Sequence, residues 1–384
     1  MKIGIYLNYW IGWGGGIGLI SNLLHALQAC KKFEVHLLLN VTEASLSGRN
    51  VTDMQISGSS IAPLVEISAR TLIHSVTIFF DINKLTQERE YDFLGFTGSP
   101  PPHSGLAKKW VSYFPDFQHR HMPKYFKQEE RISRDKTVRQ ILEDSALVFF
   151  TSRSVYVDAI SFLPTARDDS NIYILPRFFG DFSHMQNAFV KTNETQDNKK
   201  YFVSCSQEWP HKRHDVIISA FAKLLEKMDS SEIDNYRLVF TGERNSYDVL
   251  VGRRSDELIA KFGIADKIHY TGYVNKEEQL AYIKHAIALI QASEFEGQPG
   301  ASGMLEAAAL GTPIIASRVQ YNLDLDFGSI QYYELNNTDA LAEKMRECAE
   351  RTERLDTNFF NLEEVSVINQ SFGLQLYSKL KSSA

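Results

Sequence analysis

The chain has 384 residues, 43% of them hydrophobic and 23% charged, with a net charge of −6. That length suits two domains rather than one, and the acidic balance excludes a protein that tracks nucleic-acid phosphates. No apolar run approaches the roughly 20 residues needed to span a bilayer, and the three distant cysteines, Cys30, Cys205 and Cys348, suit a reducing compartment without a disulfide framework.

The opening MKIGIYLNYW reads as a first strand rather than a signal peptide. The expected location is the cytoplasm, with peripheral contact at the inner face of a membrane left open. Residues 2–8, 34–40, 92–98, 110–114, 146–151 and 172–176 are short apolar runs that predict strands. Residues 21–29 predict a helix with Leu23, Leu24 and Leu27 on one face. Strands apolar on both faces and separated by helices predict a parallel sheet covered on each side.

Between the first strand and its helix lies GWGGGIGL, residues 12–19, read as a glycine-rich loop. It is either a flexible turn or a place where backbone approaches a ligand. Its glycines do not fall as Gly-x-Gly-x-x-Gly, and the second strand ends in Asn40 rather than an acidic residue, which argues against a dinucleotide-binding dehydrogenase. Further on, Asp116, Gln118, His119, Arg120 and His121 crowd six positions after a strand. They make a poor core, and either wall a site or form a solvated turn.

The polar, aperiodic stretch at 191–200 places a domain boundary near 180–200. The strand–helix pattern then restarts, with strands expected at 201–206, 236–243, 267–274, 286–293 and 312–317. His211, Lys212, Arg213 and His214 crowd the start of a helix from Asp215. Cations there oppose the helix dipole, which is sensible if an anion sits among them; a solvated basic corner is the alternative. An amphipathic helix is expected over 337–355 and a last one over 365–380. Asp324 and Asp326 read as surface residues.

The stretch SEFEGQPGASGMLEAAALGTPIIAS, residues 293–317, carries the most chemistry. Small residues lead into a helix starting near Ser302 or Gly303 and stopping at Gly311, with Pro313 beyond. The unsatisfied amides around Gly303, Met304 and Leu305 make a seat for phosphate oxygens. Two carboxylates bracket it, Glu296 and Glu306. Glu306 is either an acidic residue favoured near a helix N-terminus or an acceptor for the paired hydroxyls of a ribose or sugar.

The pattern Ser-x-x-Glu-Gly, followed by Glu-Ala-x-Ala-x-Gly-x-Pro-x-Ile-Ala-Ser, resembles the nucleotide-sugar signature of the family 4 glycosyltransferases. The donor loop at 207–212, Gln-x-Trp-x-His-Lys, and the segment at 115–126, Pro-Asp-x-Gln-His-x-x-x-Pro-x-x-Phe, are similar to one branch of it. This resemblance implies the GT-B fold: two doubly wound, Rossmann-like α/β domains facing across a cleft, at 1–185 on the acceptor side and 200–364 on the donor side, with a helix at 365–384 crossing back.

It also implies roles. Glu306 would hold the nucleotide ribose and Glu296 would lie near the donor sugar. Lys212 would neutralise the diphosphate. Gly15 and Gly16 would approach donor phosphates and acceptor, and His119, with His121 as its rival, would touch the donor sugar. The backbone at Tyr273 and Val274 would contact the base. Three departures stand out. Nine residues lie between Glu296 and Glu306 where the family has seven, Gln207 replaces an arginine that Arg213 could stand in for, and Arg318 replaces an aspartate. The implied activity is retaining transfer of a hexosyl or deoxyhexosyl group from a nucleotide diphosphate sugar to a hydroxyl of a saccharide or lipid-linked acceptor, in cell-surface polysaccharide or glycan synthesis. No metal and no cofactor are expected. The alternatives are a sugar-nucleotide epimerase of the same fold and a non-catalytic partner subunit.

Overall fold

A computed structural model describes residues 1–6, 9–10, 14–40, 75–79, 91–99, 107–163, 171–176, 180, 199–244, 249–297, 301–325, 330–351 and 362–383. The chain divides into two compact units, Met1–Asp181 with Leu362–Ala384, and Phe182–Asn361.

The first unit holds β1 (Lys2–Tyr6), β2 (Glu34–Asn40), β3 (Ser75–Phe79), β4 (Tyr91–Thr97), β5 (Ala107–Phe114), β6 (Leu147–Phe150) and β7 (Ile172–Ile174). Their order in the sheet is β3-β2-β1-β4-β5-β6-β7, every pair parallel. Ile3, Ile5, Phe93, Val111 and Phe149 are buried because helices cover both faces. β3 was not among the expected strands.

The helix after β1 runs Gly14–Ala29, so Gly14–Gly16 form its first turn and not the expected loop; residues 11–13 lie outside the described residues. Three glycines are poor helix formers. They are carried into the helix by packing of Ile20, Leu23, Leu24 and Leu27 on the sheet. The last helix, Leu362–Ser383, returns to this unit and seats Phe372, Leu376 and Leu380 in the same core. Asn369 clamps Gly180 there, with its Oδ1 accepting from the Gly180 amide at 2.7 Å and its Nδ2 donating to the carbonyl at 2.8 Å.

Gly373 lets this helix cross Gly14–Ala29 closely. A Cβ there would lie 2.7 Å from the Ala26 carbonyl oxygen, 2.7 Å from Cys30 Cβ and 2.8 Å from its Sγ. Glycine to alanine in a helix ordinarily stabilises by about 1 kcal/mol. Gly373→Ala should instead destabilise by about 1–3 kcal/mol through overpacking, read as a lower urea midpoint. A higher midpoint would sink the packing argument.

The second unit repeats the plan with β8 (Lys200–Cys205), β9 (Tyr236–Thr241), β10 (Ile268–Gly272), β11 (Leu289–Gln291), β12 (Ile314–Ser317) and β13 (Ile330–Tyr333). Their order is β10-β9-β8-β11-β12-β13, again parallel throughout. β13 was also unexpected, and it lies at the sheet edge. Helices His214–Glu226, Val249–Phe262, Lys276–His285, Ala301–Ala309 and Thr338–Glu350 cover the faces. The last of these is shorter than the 337–355 expected; 352–361 lie outside the described residues. A short helix, Gln320–Leu323, stands before Asp324, and Asp326 falls outside the described residues. No described helix is long and apolar enough to cross a membrane.

Candidate functional site

In open α/β sheets ligands sit beyond the carboxyl ends of the strands where the order reverses. In the second unit that point is β8 beside β11. The chain leaves β8 through Ser206–Arg213 and leaves β11 through Ala292–Gly297, so the donor loop and the first carboxylate arrive together.

Lys212 ends a short 3-10 turn, Pro210–Lys212, which places its Nζ 2.7 and 2.9 Å from the two oxygens of Glu296. Both side chains are largely buried. Behind Glu296 stands a run of buried polar groups. Gln291 Nε2 donates to Glu296 Oε1 and to Ser293 Oγ, Ser317 Oγ donates to the Ser293 carbonyl, and Asn322 Nδ2 donates to Ser317. Such a network fixes the carboxylate's orientation.

The helix Ala301–Ala309 begins one or two residues earlier than expected and ends as expected. Gly311 takes φ of 70°, and the amides of Gly311 and Thr312 close back on Ala308 and Ala307. Gly303 and Met304 lie in its first turn, with Leu305 next; residues 298–300 are outside the described residues. A Cβ on Gly303 would meet Cys205 and Leu289 at ordinary contact distance, 3.7–3.9 Å, so this turn packs against side chains from the end of β8 and the start of β11. Glu306 is buried on the same helix. Its Oε1 accepts from Lys276 Nζ at 2.7 Å, while Oε2 is buried with no partner. An ionised oxygen withdrawn from water and left unpaired is costly. It marks where a hydroxyl donor would be welcome.

The basic corner differs from the expectation of clustered cations. His211 and His214 are buried, and burial first, with Lys212 nearby, holds each imidazole down to about 3 from an ordinary 6.5. His214 Nε2 meets Ser206 Oγ at 3.0 Å, and its ring stacks on Phe240 at 4.4 Å. Both are neutral near pH 7. Arg213, in the left-handed region at φ 55°, pairs with Asp215 at 2.9 Å and with Glu294, and also reaches Asn336. Its charge is already matched, so Lys212 is the member of the quartet whose cation faces the site. Gln207 is partly buried in the same loop, where its carbonyl accepts from the Trp209 amide at 2.8 Å.

Val274 follows Gly272 (φ 70°) in the turn before Lys276–His285, with Tyr273 85% exposed beside it. Lys276 escaped sequence reasoning. Its only local signal is a lysine at the first position of a helix, where a cation is unfavourable.

In the first unit, Gly15 and Gly16 lie in the opening turn of Gly14–Ala29. His119, expected to touch the donor sugar, has a fully buried side chain packed against Phe117 and Phe126, with Nε2 2.9 Å from Asp135 Oδ1. Burial, opposed by Asp135, keeps its pKa below the ordinary value. The imidazole with surface access is its rival His121, 2.6 Å from Asp158. Aromatic side chains at 114, 117, 126 and 162 draw His119 inward, which a polar string does not reveal.

Residues 185–356 match the family model described as Glycosyl transferases group 1. No curated protein sequence matches the chain. Among solved structures it is similar to a sucrose-phosphate synthase from Thermosynechococcus elongatus, at 15% identity and TM-score 0.70 over 100% of both chains. It is similar to HepE of Anabaena in complex with UDP, at 15% identity and TM-score 0.63 over 100% of this chain and 98% of that one. WaaG, a glycosyltransferase involved in lipopolysaccharide biosynthesis, gives 14% identity and TM-score 0.55 over 100% and 98%. The chain has the GT-B fold, and its second half carries the group 1 glycosyl transferase match.

Proposed function

We propose that the chain is a retaining glycosyltransferase that moves a sugar from a nucleoside diphosphate sugar onto a hydroxyl of a saccharide or lipid-linked acceptor. The observation that carries this is the open, buried Glu306 Oε2 on the helix beside the Lys212–Glu296 pair. A ribose hydroxyl satisfies Oε2. The diphosphate takes the Lys212 ammonium from Glu296, and the released carboxylate orients the sugar. As the glycosidic bond to phosphate breaks, negative charge grows on the leaving oxygen. Lys212 and the amides of Gly303 and Met304 stabilise it in place before the reaction begins. The group 1 match over this segment and the UDP complex of HepE support the reading.

Thermal shift against UDP, GDP, ADP and dTDP tests it. One nucleotide should raise Tm at 100 times its Kd by the equivalent of about 2.7 kcal/mol. Because Lys212 and the helix amides supply the positive potential, the shift should persist in EDTA. If no nucleotide shifts Tm, a non-catalytic partner subunit becomes the better reading. The specific observation in its favour is that Glu296 and the carboxylates around Arg213 already neutralise the basic corner.

A further inference from the structure

Lys276 opens the helix Lys276–His285, and its placement is fixed by a capping box. The Asn275 side chain accepts from the Glu278 amide at 2.9 Å and the Glu278 carboxylate accepts from the Asn275 amide at 3.2 Å. A cation at the first position of a helix opposes the helix dipole, so stability of this helix does not explain a lysine there. Its ammonium instead reaches 30 residues along the chain to Glu306 Oε1, at 2.7 Å, with Gln279 Oε1 at 3.1 Å. The other oxygen of Glu306 is buried and unpartnered. Here the Lys276 ammonium engages one carboxylate oxygen, whereas a guanidinium in its place has the planar fork to bridge both.

We propose that Lys276 is a positioning residue of the donor site: it holds one oxygen of Glu306 and leaves the other as the acceptor for a ribose hydroxyl, so that the site selects ribonucleoside over deoxyribonucleoside diphosphates. This rests on the donor-site reading above. With Oε1 anchored, the carboxylate turns about that contact to meet an arriving hydroxyl, and the ligand contributes the donor that Oε2 lacks. A deoxyribose lacking that hydroxyl leaves the oxygen buried and unpaired, and that is the source of the selectivity.

The test compares Kd for UDP, GDP or ADP, whichever stabilises wild type, with its 2′-deoxy and 3′-deoxy forms, in wild type, Lys276→Met and Lys276→Arg. Wild type should prefer the ribonucleotide over at least one deoxy form by about tenfold or more, as expected for a hydrogen bond to a charged group. Lys276→Met frees the carboxylate to swing and should bring that ratio down to about twofold or threefold. Lys276→Arg restores the charge but occupies both oxygens, so it should keep the wild-type Tm and still lose the preference. A merely structural lysine would show the opposite, with arginine preserving the ratio. An unchanged ratio in both variants overturns the proposal. So does an equal loss of affinity for ribo and deoxy forms, which would make Lys276 a direct phosphate contact. If wild type binds no nucleotide, the donor-site reading itself has failed; if wild type binds and only the variants disagree, this inference alone has failed.

Discussion

Lys212→Ala should abolish the nucleotide-induced rise in Tm and lower transfer by about 10²–10³-fold, the loss typical when one preorganised donor to a developing charge is removed. It should also destabilise the unliganded protein. Glu296 is 7% exposed at its side chain and receives both of its short ion-pair contacts from this ammonium. Removing one partner of a buried pair leaves an uncompensated charge and costs about 3–5 kcal/mol. The two effects separate in the double variant Lys212→Ala with Glu296→Gln. There the stray charge is gone, so stability should largely return, while nucleotide binding should not. A nucleotide shift that survives in Lys212→Ala would remove Lys212 from the donor site.

Mild acid should unfold the second unit. His211 and His214 titrate near 3 in the folded chain against about 6.5 when exposed, with burial as the leading cause. Their folded values are depressed, so between pH 6.5 and 3 the unfolded chain binds more protons. Stability is therefore fully present above 6.5 and falls as pH drops through that window. At pH 4.5 the pair withdraws roughly 5 kcal/mol, comparable with the whole stability of many domains. Urea midpoints at pH 7 and 4.5 measure this, and calorimetry in buffers of different ionisation enthalpy should count about two protons taken up on unfolding at pH 5. A flat midpoint, or no proton uptake, would contradict the buried neutral state of these rings.

Those two histidines also mark how far sequence carries. His-Lys-Arg-His reads as four cations because charge is written residue by residue. Their neutrality or pairing comes from the neighbouring Asp215 and from Phe240 and Glu294, and the last two are residues the string cannot place beside them. The strands with continuous apolar runs, such as EVHLLLN and LVFF, were legible because buried parallel strands need nothing else. β13, IQYY, is a four-residue edge strand with a single aliphatic side chain and lacks the continuous apolar run that marks the others. β3 follows a long stretch without regular alternation. Glu306, Glu296 and Lys212 were visible through local motifs, and the fold brings Lys212 and Glu296 into contact. Lys276 was not visible, since its meaning lies in a contact across 30 residues. Gly373 was silent for the same reason: its missing side chain matters only against Ala26 and Cys30.

The helix Leu362–Ser383 completes a core whose other parts precede residue 182. During synthesis the first half of the chain therefore emerges long before the piece that finishes it, and the second unit, continuous in sequence, is the one able to close first. A ribosome stalled before residue 362, or a nonsense codon there, would release a folded second unit tied to a first unit with its Phe372, Leu376 and Leu380 sites empty. Such a product should be met by chaperones and proteases at its amino-terminal half, although the lesion lies at the other end of the message.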